Sequence, residues 1–206
     1  LDKNGQALRP AILWLDQRLC QDNKAMPWYW RVAFALIGQG KVVDYFRRKS
    51  QANWLEQHEP EVWKNTDKFL LLSGFLTHRL TGQFKDSVGS IVGYLPFDYR
   101  KQNWAKAWDW KWHALPVKRS MLPNLVKPGE KLGEITAVAA AHTGLKIGTS
   151  LIASASDKAC EVLGSGCINP DTASLSYGTT ATINTNNVNY VEPQAFIPPY
   201  PSAIPD

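Results

Sequence analysis

The sequence lacks the features that would place it in a membrane or in a disulfide-bonded class. Its longest apolar runs, Ala11–Leu15 and Val32–Ile37, fall far short of the roughly 18 residues that span a bilayer. The three cysteines, Cys20, Cys160 and Cys167, are odd in number and form no CxxC pair. We therefore expect no membrane partner, reduced thiols and a cytoplasmic location.

The signatures of several enzyme classes are also absent. There is no P-loop, no GxGxxG and no GxSxG, and the four histidines lack the spacing of metal ligands. The formal net charge is +5, but the one dense basic run is Arg47–Lys49, and acidic residues are interspersed elsewhere. We predict no metal-ligating side chains and no nucleic-acid partner.

The 206 residues, 44% of them hydrophobic, are enough to bury one sizeable core. Their pattern mixes short apolar runs with helical stretches, which predicts an α/β fold. In the N-terminal part it predicts strands at Leu8–Leu15 and Phe69–Leu72, and helices at Ser50–His58, Ser73–Leu80 and Tyr99–Trp112. In the C-terminal part it predicts strands at Lys131–Ile135 and Ser150–Ala155, a helix over Ala137–His142 capped by Thr136, a helix from near Asp157, and a hairpin of Ala173–Tyr177 and Thr179–Thr185.

Asp157 is the first candidate for chemistry. It follows a strand of small residues and precedes a helix, and open α/β sheets bind their ligands where strands end. A carboxylate there could accept a proton from a bound hydroxyl. The alternative is an ordinary helix N-cap, which spacing alone favours.

The second candidate is the turn Tyr177-Gly178-Thr179-Thr180. A tight glycine turn presents backbone N–H groups and two hydroxyls that can hold a phosphate oxygen. Spacing alone favours a plain hairpin turn.

The third candidate is the segment at the end of the first predicted strand. Strand alternation would point Trp14, Asp16 and Arg18 to one side. An indole face beside a carboxylate and a guanidinium suits a polyol, although an exposed salt bridge under a packed tryptophan is equally compatible.

The order of these motifs resembles the FGGY carbohydrate kinases, which include xylulokinase, ribulokinase and glycerol kinase. The similarity runs along nearly the whole chain. The matching segments are Gly5–Arg18, Asn53–Glu61, Asp67–Leu71, Arg79–Gly82, Leu122–Pro123, Pro128–Glu130, Ala140–Leu145, Asp157–Gly166 and Gly178–Thr180.

The resemblance implies an incomplete lobe of the two-lobed, ribonuclease-H-like (actin-like ATPase) fold. Residues 1–188 would be part of the N-terminal sugar-binding lobe, and residues 189–206 a proline-rich tail or connection. Asp157 would be the catalytic base, while Trp14, Asp16 and Arg18 would bind substrate. Gly178, Thr179 and Thr180 would approach the nucleotide phosphates.

The implied function is phosphorylation of a sugar or polyol hydroxyl by ATP with Mg²⁺. The alternatives are a regulatory ATPase of the actin or Hsp70 type and a non-catalytic carbohydrate-binding module. Gln51 and Ala52 depart from the lysine and bulky apolar residue usual in the family, and the family's first phosphate loop would precede Leu1. We therefore expect the isolated chain to be inactive. The sequence neither predicts nor excludes a homodimer.

Overall fold

The computed structural model describes residues 1–21, 26–178 and 180–204. The helices are α1 (Trp28–Leu36), α2 (Gly40–Lys49), α3 (Gln51–His58), α4 (Pro60–Lys64), α5 (Leu72–Thr81), α6 (Trp110–Ala114), α7 (Ala137–Thr143) and α8 (Asp157–Gly164). The strands are β1 (Lys85–Ser87), β2 (Phe97–Asp98), β3 (Asn103–Trp104), β4 (Asn124–Val126), β5 (Lys131–Glu134), β6 (Ser150–Ile152), β7 (Ala173–Tyr177) and β8 (Ala181–Thr185). The chain divides into two compact units.

The first unit consists of Leu1–Leu72, Gly93–Asp98 and Trp104–Pro123. Its core is helical and rich in aromatic side chains, because α1 and α2 turn their apolar faces towards each other and towards α6. Phe34 of α1 lies edge-on to Trp110 of α6 at 5.3 Å between ring centroids, and Phe46 of α2 lies 5.1 Å from the same ring. The buried core residues are Met26, Phe34, Val43, Ala52, Ala114, Leu115 and Val117.

The second unit consists of Ser73–Val92, Tyr99–Asn103 and Asn124–Asp206. It contains three strand pairs. β1 pairs in parallel with β4, with Lys85 opposite Asn124. β5 and β6 are antiparallel with an irregularity between Lys131 and Gly133. β7 and β8 form an antiparallel hairpin with Ala173 opposite Thr185.

Several predicted elements are confirmed. α3 follows Ser50 and ends at His58, and α5 is ended by Gly82, whose φ of 73° is left-handed. Thr136 caps α7, because its hydroxyl accepts a hydrogen bond of 3.2 Å from the Ala139 amide. The structure also contains the predicted β5, β6, α8 and β7–β8 elements, with β6 and β8 shorter than expected.

The predicted strand at Leu8–Leu15 is wrong. A strand needs a neighbouring backbone for its hydrogen bonds, and no segment among the described residues pairs with it. Most of its apolar side chains are exposed, Trp14 at 83%, whereas Leu8 and Ile12 are half-buried. The strand predicted at Phe69–Leu72 is also wrong: Leu72 already begins α5, and the Phe69 amide bonds to the Met121 carbonyl.

The helix predicted over Tyr99–Trp112 is wrong as well. Gln102 has a φ of 48°, in the left-handed region that a right-handed helix cannot contain. The following residues run extended, because the Ala105 amide bonds to the Pro96 carbonyl and the Trp104 indole bonds to the Pro123 carbonyl, both at 2.8 Å. Only the last turn, α6, is helical, and Asp109 caps it.

Candidate functional site

A cleft of about 180 Å³ in the first unit brings Trp14, Asp16 and Arg18 together. The strand alternation that suggested this grouping is not formed; a turn at residues 14–15 produces it instead. The remaining lining residues are Ile12, Tyr45, Lys49, Gln51, Trp54 and Tyr94. The cleft therefore combines aromatic rings with both signs of charge.

Asp16 and Arg18 form an ion pair on one side of this cleft. The Arg18 Nε atom lies 2.9 Å from Asp16 Oδ1 and 2.8 Å from Oδ2, and Nη2 also donates to Oδ2. The side-chain hydrogen bonds from Arg18, aided by its backbone amide, lower the pKa of Asp16 to about 2. Asp16 is therefore ionised throughout the neutral pH range.

Trp54, which was not among the candidate residues, is an aromatic partner of this ion pair. The Arg18 guanidinium carbon lies 4.1 Å from the centroid of the Trp54 ring, a cation–π distance. The alternative of a salt bridge under a packed tryptophan is thus half right: the Asp16–Arg18 salt bridge forms, but the tryptophan that packs on it is Trp54 and not Trp14. Trp14 stays exposed, with its ring surface available to a ligand.

Tyr45 and Tyr94 also line the cleft, and their rings meet edge-on at 6.3 Å. Tyr94 follows a glycine with a φ of 122°. No local pattern joins it to α2, because the contact spans about fifty positions of sequence. Gln51, one of the two departures from the family pattern, faces the cleft, whereas Ala52, the other, is buried in the core.

Asp157 lies in the second unit as the first residue of α8. Ser156 is the N-cap, because its hydroxyl accepts from the Ala159 amide at 3.4 Å. The alternative that Asp157 is itself the cap is therefore wrong. The Asp157 carboxylate is exposed and accepts from the Lys158 amide at 2.7 Å. A helix N-terminus favours a negative charge at this position.

The hairpin turn lies at the same end of the molecule's α8–β7 pair as Asp157. Lys158 Nζ lies 3.4 Å from Ser176 Oγ, and Ser165 Oγ lies 3.1 Å from Ser174 Oγ, so helix and strand run in opposite directions. The start of α8 is consequently next to the end of β7. This arrangement places the candidate base and the candidate phosphate turn at one end of two elements that are linked by side-chain hydrogen bonds.

The turn itself differs from the expected one in a single respect. Tyr177 pairs with Ala181, which leaves a three-residue loop, and the Gly178 amide lies 3.3 Å from the Thr180 carbonyl. Gly178 has no left-handed φ, and a Cβ there would meet nothing closer than 3.9 Å. A residue with a side chain would therefore fit at position 178. Thr180 is exposed, and Thr179 lies outside the described residues.

Asp86 on β1 is a titratable residue that sequence reasoning missed. It is 1% exposed, and its carboxylate accepts from the Ser73 hydroxyl and the Ser87 amide, each at 2.8 Å. Burial raises the pKa of Asp86 to about 6, against the opposing effect of these hydrogen bonds. The sequence Lys-Asp-Ser is indistinguishable from an exposed loop, so it gives no signal of this burial.

Two further properties bear on ligands and location. Within residues 1–21, 26–178 and 180–204, no group of three or more histidine, cysteine or acidic side chains is arranged to hold a metal ion. No helix in this part of the chain is long and apolar enough to cross a membrane.

Comparison with known proteins places these features in a family. Residues 1–164 match the N-terminal domain of the FGGY family of carbohydrate kinases. The chain is 29% identical to a xylulose kinase of Escherichia coli over 180 residues, which is 87% of this chain and 36% of that protein. It is 39% identical to the uncharacterized sugar kinase YgcE of the same organism over 119 residues, 55% of this chain and 23% of the relative.

A solved structure confirms the fold class. The xylulose kinase of Rhodospirillum rubrum superposes with a TM-score of 0.66 at 25% identity, over 89% of this chain and 37% of that one. The fold is therefore α/β, an incomplete lobe of the actin-like ATPase type. The chain spans little more than a third of the length of the xylulose kinases that it matches.

Proposed function

Because the chain belongs to the FGGY family of carbohydrate kinases, we propose that its protein transfers the γ-phosphoryl group of ATP to a hydroxyl of a sugar or polyol. The observation that carries this proposal is the exposed carboxylate of Asp157 at the N-terminus of α8, next to the turn after β7. A base and a phosphate-binding turn at one end of two elements linked by hydrogen bonds suit in-line phosphoryl transfer.

Asp157 acts as the general base in this mechanism. Its carboxylate takes the proton of the acceptor hydroxyl as that oxygen bonds to the γ-phosphorus, while the bond from phosphorus to the bridging oxygen of ADP breaks. The neutral carboxyl then releases its proton to solvent, which the exposure of Asp157 allows. The protein forms no covalent bond to either substrate in this mechanism, and the positioning of the two reactants supplies most of the rate enhancement.

The turn Gly178–Thr180 is the proposed contact for the nucleotide phosphates. Gly178 and Thr180 are exposed, and the backbone amides and hydroxyls of a loop of this kind can bind phosphate oxygens once the Gly178 amide has released the Thr180 carbonyl. The role of Thr179 rests on the family resemblance. Because Mg²⁺ takes few protein ligands in such sites, it would be held mainly by the phosphates of ATP, and it would supply neutralisation of their charge.

The sugar contacts are Trp14, Asp16 and Arg18. The exposed indole face of Trp14 can cover the C–H surface of a sugar, and the Asp16–Arg18 pair can accept from and donate to its hydroxyls. The ion pair is preorganised, so little side-chain entropy is lost on binding. Since several relatives are xylulose kinases, xylulose is the first acceptor to test.

The test is an ADP-release assay on the full-length protein, meaning this chain with whatever sequence flanks it in its natural polypeptide. Ketopentoses including xylulose, ketohexoses, sugar acids and polyols are offered with MgATP. ADP release that depends on one acceptor class supports the proposal. ATP hydrolysis independent of every acceptor would favour a regulatory ATPase, and sugar binding without ADP release would favour a binding module.

A further inference from the structure

The segment that leads into Asp157 is held by a second segment far away in sequence. Residues 154–156 run alongside residues 87–89, with Gly89 and Ala155 in a parallel bridge. The Ser156 amide donates to the Gly89 carbonyl at 2.9 Å. The Ser87 hydroxyl donates to the Ser154 carbonyl and accepts from the Gly89 amide.

These contacts fix the residue at which α8 begins. Ser156 is the N-cap, so its hydroxyl is committed to the first turn of the helix while its amide is committed to Gly89. Asp157 is the next residue. Its backbone position is therefore determined from both sides, by the helix that follows it and by residues 87–89.

The two segments approach so closely that only glycine fits at position 89. A Cβ there would lie 2.6 Å from the Ala155 Cβ, 3.0 Å from the Ala155 Cα and 3.1 Å from the Ser154 carbonyl oxygen. Gly89 does not have a left-handed φ, so the requirement is one of space. Two of the three obstructing atoms belong to backbone, which cannot rotate away.

The strand before Gly89 is anchored in turn. Asp86 is buried, and its carboxylate accepts from the amide of Ser87 and from the Ser73 hydroxyl at the start of α5. β1 also pairs with β4 through Lys85, Asp86 and Ser87. The support for residues 154–156 is thus attached to a helix and to a second strand.

We propose that Ser87 and Gly89 are positioning residues that hold the carboxylate of Asp157 where it can reach the acceptor hydroxyl. This inference rests on the proposed role of Asp157. A general base has to come within about 2.6–3.2 Å of its proton, and a misplacement of about 1 Å can lower a rate about 100-fold. Gly89→Ala must separate residues 89 and 155 by several tenths of an ångström, which moves the start of α8.

A purely structural role would make Gly89→Ala destabilising without a specific effect on the chemical step. Gly133→Ala is the matched control, because a Cβ at Gly133 would meet the Thr81 Cβ at 2.7 Å in the same unit. That crowding is directed at α5 and not at the segment before Asp157. Ala155→Gly is the matched rescue, because it removes the atom nearest to the new methyl group.

The experiment measures kcat, both KM values and the melting temperature of the full-length protein for Gly89→Ala, Gly133→Ala, Ala155→Gly and the Gly89→Ala/Ala155→Gly pair. We expect Gly89→Ala to lower kcat at least tenfold while the sugar and ATP KM values stay within threefold. Gly133→Ala should lower the melting temperature with kcat kept within threefold. The double variant should regain part of the lost kcat, because the Ala155 Cα and the Ser154 carbonyl oxygen still lie 3.0 and 3.1 Å from the new methyl group.

An equal loss of kcat in Gly89→Ala and Gly133→Ala, or no rescue by Ala155→Gly, would overturn the inference. If Gly89→Ala does not fold, Ser87→Ala tests the proposal instead, because it removes one hydroxyl and adds no atom. An unchanged kcat in Ser87→Ala would contradict the proposal. Asp157→Asn distinguishes a failure of the proposed catalytic role of Asp157 from a failure of the positioning role. If that variant stays active, the role of Asp157 falls, whereas an inactive Asp157→Asn beside a normal Gly89→Ala refutes only the positioning role.

Discussion

At the scale of single residues, three aspartate carboxyl groups have different surroundings. Asp16 is held ionised by Arg18, Asp86 is buried among hydroxyl and amide donors, and Asp157 is exposed at a helix N-terminus. Asp16 is a fixed anion that lines the cleft, Asp86 is closed to ligands and solvent, and Asp157 is exposed. We therefore propose that Asp157 takes the proton, that Asp16 contacts the sugar and that Asp86 has a structural role.

Asp86→Asn should change how stability depends on pH. The folded pKa of Asp86, about 6, lies above its usual value of 3.8, so folding binds a proton between these two pH values. Stability from this group is complete below pH 3.8 and is lost as pH rises through 6. Relative to Asp86→Asn, the wild-type free energy of unfolding should fall by up to about 3 kcal/mol between pH 4 and pH 7.

Urea unfolding at a series of pH values measures this difference. Asp171→Asn, at an exposed carboxyl, is the control. Parallel pH profiles for wild type and Asp86→Asn would show that the buried carboxyl carries no proton linkage.

Trp14→Ala should raise the KM for the sugar by about tenfold or more and leave the KM for ATP within twofold. The ring is 83% exposed, so its loss should shift the melting temperature little. Trp108→Ala, at a tryptophan 69% exposed outside the cleft, is the control. Equal increases in both KM values for Trp14→Ala would indicate a general structural effect.

At the scale of elements, the turn after β7 allows a substitution that is neutral for the fold. Gly178→Ala adds a methyl group with no neighbour closer than 3.9 Å and with no left-handed φ to violate. The melting temperature should stay within about 1 °C. If the turn contacts nucleotide phosphates, the methyl group should raise the KM for ATP several-fold more than the KM for the sugar.

Gly164→Ala is the control for this substitution, because that position at the end of α8 is equally open. Steady-state kinetics with ATP and sugar varied in turn give both KM values. An unchanged KM for ATP in Gly178→Ala would remove the turn from the proposed nucleotide contacts.

The elements that sequence predicted are those with local signals. The cap at Thr136, the left-handed glycine after α5 and the alternation in β7 and β8 each lie within a few residues of the element that they define. The strand expected at Leu8–Leu15 failed because a strand depends on a distant partner. The prediction of a helix at Tyr99–Trp112 was wrong because Gln102 adopts a left-handed φ, which nothing in the sequence around a glutamine indicates.

The candidate sites show the same difference between residues that are close in sequence and residues that meet only in the fold. Trp14, Asp16 and Arg18 are close in sequence, and they were grouped correctly for an incorrect reason. Trp54 lies on α3, and Tyr94 reaches the same cleft through its contacts with Tyr45 and Phe46 of α2, so no spacing could indicate that they meet. The support of Asp157 by residues 87–89 spans about seventy positions and became visible only in three dimensions.

At the scale of the whole molecule, the chain covers 36% of the E. coli xylulose kinase and carries one proposed phosphate turn. Phosphoryl transfer needs both reactants held in a closed site that excludes water. We therefore expect the 206-residue chain alone to bind MgATP no more tightly than about millimolar and to release no ADP above background. Calorimetry and a sugar-panel assay check this, and sugar-dependent ADP release that is lost in Asp157→Asn would contradict it.

The most direct test of the account is turnover by the full-length Asp157→Asn variant, measured with its best acceptor and saturating MgATP. The substitution keeps the size of the side chain and removes its basicity. We expect sugar affinity, measured by calorimetry, to stay within a few-fold while kcat falls by about two orders of magnitude or more; Asp171→Asn should behave as wild type. An Asp157→Asn variant that turns over close to the wild-type rate would contradict the central claim that this carboxylate deprotonates the sugar.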